Sequence, residues 1–349
     1  MKKVLMLCTV FAFVFAVSSF ASEDAAKKAN GYVGSEACKS CHADIYNLFV
    51  ESGHPYKLRK AELAKKAGLP VPKGYTWDDI SYVIGGKTKK ARYIGLDGYI
   101  ITTDKEGNKM PTQYNLADGS WVNYNPGKIT PYKCGPCHMT NYSPEGHQDG
   151  RPGMIGTWSF DGIQCEECHG PSSAHAADPK AVKPIVDTSS KACGKCHIRS
   201  SADKIPASGG FIQHHEQYNE LLAGGHKDLN CVECHDPHAK TAASIKAQCS
   251  SCHSEIAAKY EKTIHGKSKI DCKNCHMPKA AKSALKTDDY AGDVRSHIFK
   301  INTSADYYMF TEDGKLAKNE LSLEYTCKLS GCHASMSKKD ASKYAKKIH

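Results

Sequence analysis

Seven segments of the chain repeat one spacing of sulfur and nitrogen ligands: two cysteines separated by two residues, with a histidine directly after the second. The two intervening residues vary freely, whereas the histidine is always present. We call the segments motifs 1 to 7 in chain order: Cys38, Cys41 and His42; Cys134, Cys137 and His138; Cys165, Cys168 and His169; Cys193, Cys196 and His197; Cys231, Cys234 and His235; Cys249, Cys252 and His253; Cys272, Cys275 and His276. Motif 8, Cys327, Cys332 and His333 (CKLSGCH), has four residues between its cysteines.

Three kinds of chemistry use closely spaced cysteines. Zinc sites contain such pairs, but the three donors of one motif lie too close together to complete a tetrahedron. Redox-active disulfides across this spacing occur as single motifs near a βαβ pattern. In c-type haem attachment the two thiols add to the haem vinyl groups, and the following histidine becomes the proximal iron ligand. The invariant histidine therefore predicts covalent haem at motifs 1 to 7.

Motif 8 admits three interpretations: a haem site with a longer loop, a disulfide, or a remnant. The chain has 17 cysteines, and all except Cys8 fall into the eight motifs. A disulfide between Cys327 and Cys332 would also leave no cysteine over, but it would leave the adjacent His333 unexplained. A longer loop can bulge without moving the Cys332–His333 pair, so we predict eight c-type haems, with these proximal ligands: His42, His138, His169, His197, His235, His253, His276 and His333.

The remaining histidines could supply the sixth ligand of each iron. Several follow or precede a motif by so few residues that they cannot reach the far face of the same haem, and we expect them to bind the iron of a neighbouring motif. The distal candidates are His54, His147, His175, His226, His238, His265 and His297, with His214 or His215 as the eighth. We expect His349 to be a tail residue or a ligand to a neighbouring subunit. Bis-histidine ligation favours low potentials.

The segments that must position these ligands suggest an exported, haem-threaded chain. Residues 1–21 combine Lys2 and Lys3 with a short apolar run and small residues before Ser22, which predicts a cleaved secretory signal peptide rather than a membrane span. We predict one domain over 22–349, with 22–133 and 134–349 as possible lobes. Its expected fold is mostly coil and short α-helices wrapped round a haem array, with a small sheet around 75–122 and a basic helix over Pro55–Gly68.

The charge balance is informative only once haem is included. The formal net charge of +10 would suggest nucleic acid or another acidic partner. The signal peptide removes two lysines, and eight haems add up to roughly sixteen negative propionates, so the assembled protein would carry net negative charge. We therefore exclude nucleic-acid binding and expect many lysines to neutralise propionates.

Several longer segments resemble the multihaem c-type cytochromes. GYVGSEACKSCH, GIQCEECHGPSSAH, CVECHDPH and CKNCHMP followed by GDVRSHIFKI are similar to segments of the branch that includes the tetrahaem cytochromes of ammonia oxidisers, octahaem hydroxylamine oxidoreductase and pentahaem nitrite reductase. The resemblance implies alternating parallel and perpendicular haem pairs, mostly bis-histidine iron, and a distal role for His297. A second resemblance is to secreted cytochromes of metal-reducing bacteria, some of which form filaments.

These patterns predict an electron carrier rather than an enzyme. Electrons would pass along eight haems in anaerobic respiration or extracellular electron transfer, between other redox proteins or an extracellular acceptor. We expect motifs 1 and 8 to be the points where electrons enter and leave. The protein would be periplasmic, extracellular or at the cell surface, without an integral membrane segment, and a filament subunit is one option. The alternative is an oxidoreductase acting on a nitrogen or sulfur oxyanion at one open haem, although the C-x-x-C-K motif of the nitrite reductases is absent.

Overall fold

The computed structural model of the chain describes residues 31–241 and 243–348. The predicted signal peptide, 1–21, and His349 lie outside the described residues. Irregular segments and short helices make up most of the described part, which confirms the predicted fold class. No helix among these residues is long and apolar enough to cross a membrane.

The helices are only one or two turns long, and the longest covers eight residues. In chain order they are α1 Ser35–Lys39, α2 Ala43–Phe49, α3 Ala61–Lys66, α4 Gly135–His138, α5 Cys165–His169, α6 Ser173–Ala177, α7 Ser190–Gly194, α8 Gln217–Ala223, α9 Cys231–Cys234, α10 Ser254–Tyr260, α11 Ile264–Lys267, α12 Cys272–His276, α13 Leu323–Thr326 and α14 Lys338–Ala345. Three 3-10 turns cover Trp77–Asp79, Gln148–Gly150 and Cys249–Ser251. Such short helices depend on tertiary contacts, because isolated helices of this length are unstable in water.

A five-stranded antiparallel sheet precedes motif 2. Its strands pair in sequence order: β1 Leu58–Lys60, β2 Ile80–Gly85, β3 Lys90–Gly95, β4 Gln113–Asn115 and β5 Trp121–Val122. The small sheet predicted around 75–122 is thus present, with β1 as an additional edge strand. The basic helix predicted over Pro55–Gly68 is confined to α3. The preceding residues form β1 instead because Leu58 is fully buried opposite Ile84, and the Arg59 guanidinium donates to the Gly85 carbonyl.

A second sheet, which the sequence did not predict, lies in the C-terminal half. It contains β10 Ile205–Ser208, β11 Phe211–Gln213, β12 Ala281–Lys282 and β13 Leu316–Ala317, in the order β12-β11-β10-β13. Two two-stranded ladders pair β6 Met139–Thr140 with β9 Phe160–Asp161, and β7 Ser143–His147 with β8 Ile155–Thr157. These strands have only two to five residues, so their alternation is too short to detect.

Three apolar clusters stabilise the sheets. One joins β1 and β2 to the segment after motif 2 through Leu58, Tyr82, Met139 and Trp158, with Cys134 packed against it. The second fills the other face of the same sheet, and the third fills the second sheet around Ile298 and Leu321. The cysteines of the motifs, by contrast, are half-buried or exposed. The polypeptide therefore buries its apolar side chains beside the motifs rather than around them.

Candidate haem sites

Several motifs are organised by one hydrogen bond across the loop. In motifs 1, 4, 5 and 6 the backbone N–H of the histidine donates to the carbonyl of the first cysteine at 2.9 Å. This bond closes one helical turn and brings the two thiols and the imidazole together. The turn places the three haem-binding side chains within one short element.

Motif 8 makes the same hydrogen bond in spite of its longer loop. The N–H of His333 donates to the Cys327 carbonyl at 3.2 Å. The two extra residues are accommodated by a bulge in which Cys332 N–H donates to the Leu329 carbonyl at 3.0 Å and Gly331 has φ of 77°. Cys327 and Cys332 are not bridged, and nor are the other cysteines of the described residues. Motif 8 therefore closes its loop with the same backbone hydrogen bond as motifs 1, 4, 5 and 6.

Six histidines of the motifs face a second histidine. The pairs are His42–His175 and His169–His238 at 6.2 Å between ring centres, His235–His297 at 6.1 Å, His253–His226 and His333–His265 at 5.8 Å, and His197–His54 at 6.5 Å. Imidazole nitrogens bind a transition metal at about 2 Å, so a metal held between two imidazoles separates the ring centres by about 6 Å. The donor sets and spacings of these six sites fit an iron between two histidines.

Hydrogen bonds at the other ring nitrogen orient several of these imidazoles. Nδ1 of His197 contacts the Gln217 side chain at 3.1 Å, and Nδ1 of His238 contacts Asp236 at 3.0 Å. The same nitrogen of His175, His235 and His276 contacts Val182 O, Ser244 Oγ and Phe299 O, respectively. Because an acceptor at Nδ1 fixes the tautomer, Nε2 is left free to bind iron.

Burial favours the neutral, iron-binding form of some of these histidines. It lowers the pKa of His54 and of His297 to about 4, with smaller contributions from neighbouring charges, and it alone accounts for the lowered pKa of His235. A neutral imidazole at neutral pH needs no proton release before it binds a metal.

Contacts between cysteines reveal which motifs are neighbours in space. Neighbouring thiols shift the pKa of cysteines in other motifs: Cys165 acts on Cys38, Cys196 on Cys137, Cys231 on Cys193 and Cys249 on Cys272. The charges of Cys193, Cys249 and Cys327 likewise raise the pKa of Cys168, Cys234 and Cys275, respectively. The motifs therefore follow the order 1, 3, 4, 5, 6, 7 and 8, while motif 2 joins the row as a side branch at motif 4. This order could not be read from the sequence.

Motif 2 differs from the six paired sites. Within the described residues no histidine ring lies opposite His138 at a comparable distance, and its buried Nδ1 has no hydrogen-bond partner. Burial, followed by the charges of Lys57, Arg199 and Arg92, lowers the pKa of His138 to about 3. The nearest distal candidates are His214 and His215, whose rings lie 3.5 Å apart and of which His215 interacts electrostatically with His138.

Distal candidates next to a motif face a different motif, as their short links require. His175 and His226 face motifs 1 and 6, and His238 and His265 face motifs 3 and 8. His147 ends β7 on the exposed surface, and the described residues place no haem-motif histidine opposite it. The sequence missed the Nδ1 acceptors, although Asp236 lies only two residues from His238, because no acceptor recurs at a fixed spacing from the histidines. It missed the cations near His138 because they are remote in the chain.

Comparisons with known proteins agree with this geometry. A family model described as cytochrome c554 and c-prime matches residues 108–170, which contain motifs 2 and 3. The outer cell wall cytochrome OcwA has a similar structure, with a TM-score of 0.61, 20% identity, and coverage of 90% of this chain and 86% of that one.

Two further structures are similar over a smaller share of their length. The octahaem sulfite reductase MccA of Wolinella succinogenes gives a TM-score of 0.63 at 17% identity, covering 85% of this chain and 65% of that one. The undecahaem S-layer cytochrome of Carboxydothermus ferrireducens gives a TM-score of 0.50 at 18% identity, covering 78% of this chain and 52% of that one. The repeated motifs, the histidine pairs, the family match over residues 108–170 and the shared fold are all similar to those of multihaem c-type cytochromes.

Proposed function

We propose that the chain binds eight c-type haems and carries electrons along them. The observation that carries this proposal is the continuous row of motifs 1, 3, 4, 5, 6, 7 and 8, in which the cysteines of each motif lie near enough to those of the next to shift their pKa. When bound, the haems supply the redox chemistry. The polypeptide supplies the thiols that fix their spacing and the imidazoles that favour low potentials.

Motifs 1 and 8 are the proposed points where electrons enter and leave. They stand at the two ends of the row, and their second cysteine and histidine are exposed: Cys41 and His42 at one end, Cys332 and His333 at the other. Exposed ends suit exchange with other redox proteins or an extracellular acceptor. We propose that the chain works after export, in the periplasm or outside the cell, and that self-association end to end into a filament would extend the same row.

The haem count is tested by intact mass. The purified protein is expected to exceed the apo-chain by eight haems, and a Cys327→Ser/Cys332→Ser double variant by seven. A Ser330→Ala variant, in the same loop, serves as the control and should retain eight. A native mass with seven haems would contradict the assignment of motif 8.

Electron transfer along the row is tested by reductive titration and rapid kinetics. All haems should be reduced by a protein-sized donor in one connected process, without turnover of any substrate. If only the haem nearest the donor were reduced, the continuous row would be refuted. Electron micrographs of the secreted protein test the filament.

The second candidate function is an oxidoreductase for a nitrogen or sulfur oxyanion. One observation favours it: His138, unlike the histidines of the six paired sites, faces no second histidine ring among the described residues. Steady-state assays with a reduced dye and nitrite or sulfite test this function. Absence of turnover with both would leave electron transfer alone.

A further inference from the structure

Motif 3 contains a buried charged residue between its two cysteines. Glu166 is 1% exposed. The charged residues between the cysteines of motifs 1, 4, 5 and 7 are exposed: Lys39, Lys195, Glu233 and Lys273. Burying a carboxylate is costly unless hydrogen bonds replace those that it makes with water. The place of Glu166 in the fold therefore has to be stabilised by specific contacts.

Three backbone N–H groups supply these contacts. The N–H of Val33 donates to both oxygens of the Glu166 carboxylate, at 3.0 and 3.1 Å, and the N–H of Gly34 donates to one of them at 2.7 Å. The third donor is the N–H of Ser172, at 2.9 Å. Because all three partners are donors, they match an ionised carboxylate, which can only accept. Glu166 thus binds two segments that are far apart in the chain.

The first of these segments leads directly into α1, the helix that carries the first cysteine of motif 1. A second contact lies beside the carboxylate: Ser35 Oγ donates to the Gln164 side chain at 2.7 Å and accepts the N–H of Cys165 at 3.1 Å. Gly34 has φ of 81°, and an added Cβ would come within 2.9 Å of the Phe160 ring. The chain can therefore approach motif 3 this closely only because position 34 is a glycine.

The second segment carries the histidine that faces motif 1. Ser172 directly precedes α6, which contains His175. The ring centre of His175 lies 6.2 Å from that of His42, with 24° between the ring planes. The N–H of Ser173 also donates to the Gly31 carbonyl at 2.9 Å, so the two segments contact each other as well. One carboxylate therefore holds both of the segments that supply the histidines of motif 1.

A local helix cap does not account for these contacts. A capping carboxylate binds an N–H at the start of its own helix, as Glu233 does when it accepts the N–H of Asn230 at 2.9 Å. Glu166 belongs to α5, but its three donors precede α1 and α6. Its hydrogen bonds join separate elements and do not terminate one.

We propose that Glu166 is a positioning residue for the iron site of motif 1. By binding both segments at once, it sets His42 and His175 at the separation that two imidazoles on one iron require. It acts through the backbone of the two segments and not on the iron itself. The inference rests on haem attachment at motif 1, which belongs to the proposed function, but not on electron transfer along the row.

Hydrogen exchange in the native, haem-loaded protein tests the contact without a mutation. The N–H groups of Val33, Gly34 and Ser172 should exchange slowly, because a buried carboxylate holds all three. In Glu166→Gln at least one of them should exchange about tenfold faster or more, since the amide replaces one acceptor by a donor. Fast exchange of all three groups in the native protein would overturn the proposal.

Electron paramagnetic resonance of the oxidised protein tests the effect on the iron. His175→Gly removes the opposing imidazole and so identifies the signal of the haem at motif 1. In Glu166→Gln this signal should shift or be replaced in part by a high-spin signal, while the intact mass and the signals of the other haems stay unchanged. Glu233→Gln, the same substitution at an exposed place between the cysteines of motif 5, should leave every signal unchanged.

A second variant separates positioning from a general loss of stability. Glu166→Asp keeps the charge but shortens the side chain by one methylene, so it cannot reach both segments at full length. Its signal for the haem at motif 1 should shift in the same direction as that of Glu166→Gln, whether or not the glutamine variant accumulates as folded protein. Lower thermal stability with a native signal at motif 1 would show a merely structural role and overturn the proposal.

The outcomes distinguish this inference from the proposed function. If peptide mapping finds haem at motif 1 and the signal is native in the Glu166 variants, the inference fails and the proposed function stands. If haem is present and the signal shifts, but the haems do not exchange electrons, the inference stands and electron transfer fails. If motif 1 carries no haem, both the eight-haem proposal and the inference are wrong.

Discussion

Motifs 2 and 5 both half-bury their histidines but surround them differently. His235 of motif 5 faces His297 at 6.1 Å and donates to or accepts from Ser244 at Nδ1, and burial alone lowers its pKa. His138 of motif 2 faces no ring among the described residues, has no Nδ1 partner and lies among cations. Burial is therefore common to both, whereas the opposing ligand and the local charge differ.

The difference teaches that one attachment motif can specify two kinds of iron environment. The C-x-x-C-H spacing would fix the covalent bonds and the proximal histidine. The side chains that arrive from remote segments decide whether the opposite face is closed by a histidine or left beside positive charge.

The largest expected effect comes from converting motif 5 into an open site. His297→Gly removes the opposing ligand, so one low-spin haem should become high-spin while the thioethers keep the haem count at eight. Electron paramagnetic resonance and intact mass measure both quantities. His147→Gly, at the exposed end of β7, should change neither. A motif 5 haem that stayed low-spin in His297→Gly would contradict the comparison, because it would show that His297 does not close that site.

The next largest effect is on the pH dependence of stability. It concerns Glu220, which lies beside His297, the histidine paired with motif 5. Glu220 is fully buried and accepts the backbone N–H of His297, and burial raises its pKa from 4.5 to about 8. The folded state therefore holds a proton that the unfolded state releases above about pH 4.5. Its contribution to stability is complete below that pH and is lost as pH rises to about 8.

Glu220→Gln should remove this dependence, because the amide stays neutral. Denaturant unfolding should find the native protein a few kcal/mol less stable at about pH 9 than at about pH 5, and the variant nearly insensitive. Glu312→Gln, at an exposed position, is the control and should follow the native curve. If the stability of the native protein did not decline over this pH range, Glu220 would not be protonated in the folded state.

Removing the carboxylate that contacts Nδ1 of a paired histidine should make that histidine more like His138 of motif 2, whose Nδ1 has no partner. Asp236→Asn replaces the carboxylate that contacts His238 Nδ1 at 3.0 Å. A less basic imidazole stabilises the oxidised iron less, so the potential of the haem at motif 3 should rise by about 60 mV for each tenfold change in ligand strength. Potentiometric titration measures the shift, with exposed Asp228→Asn as control; an unchanged potential would show that this hydrogen bond does not tune the iron.

The smallest expected effect is a change in thermal stability, and it concerns the longer loop of motif 8. Gly331→Ala places a side chain at φ of 77°, which costs about 1 kcal/mol. Thermal unfolding should begin a few degrees lower. Gly225→Ala, where an added Cβ meets nothing within 4 Å and φ is not positive, should have little effect. An unchanged transition in Gly331→Ala would mean that the loop of motif 8 tolerates another conformation.

The sequence predicted the features that depend on neighbouring residues. The motifs, the coil-rich fold and the sheet around β2 to β5 follow from spacing and alternation. The second sheet, the side branch at motif 4 and the cations at motif 2 did not, because they join residues such as Ile212 and Ala281, or Lys57 and Arg199, that are far apart in the chain. Periodicity describes one element at a time and cannot state which elements meet.

The histidine pairs also have a topological consequence. An iron between His54 and His197 would close a loop of about 140 residues, and one between His42 and His175 a loop of about 130. Each such bond restricts the unfolded chain as a disulfide does, with larger loops restricted more. In a polypeptide with short helices and separate apolar clusters, these reversible metal cross-links would contribute much of the resistance to unfolding and proteolysis. That resistance would be lost in steps as each iron–histidine bond opened.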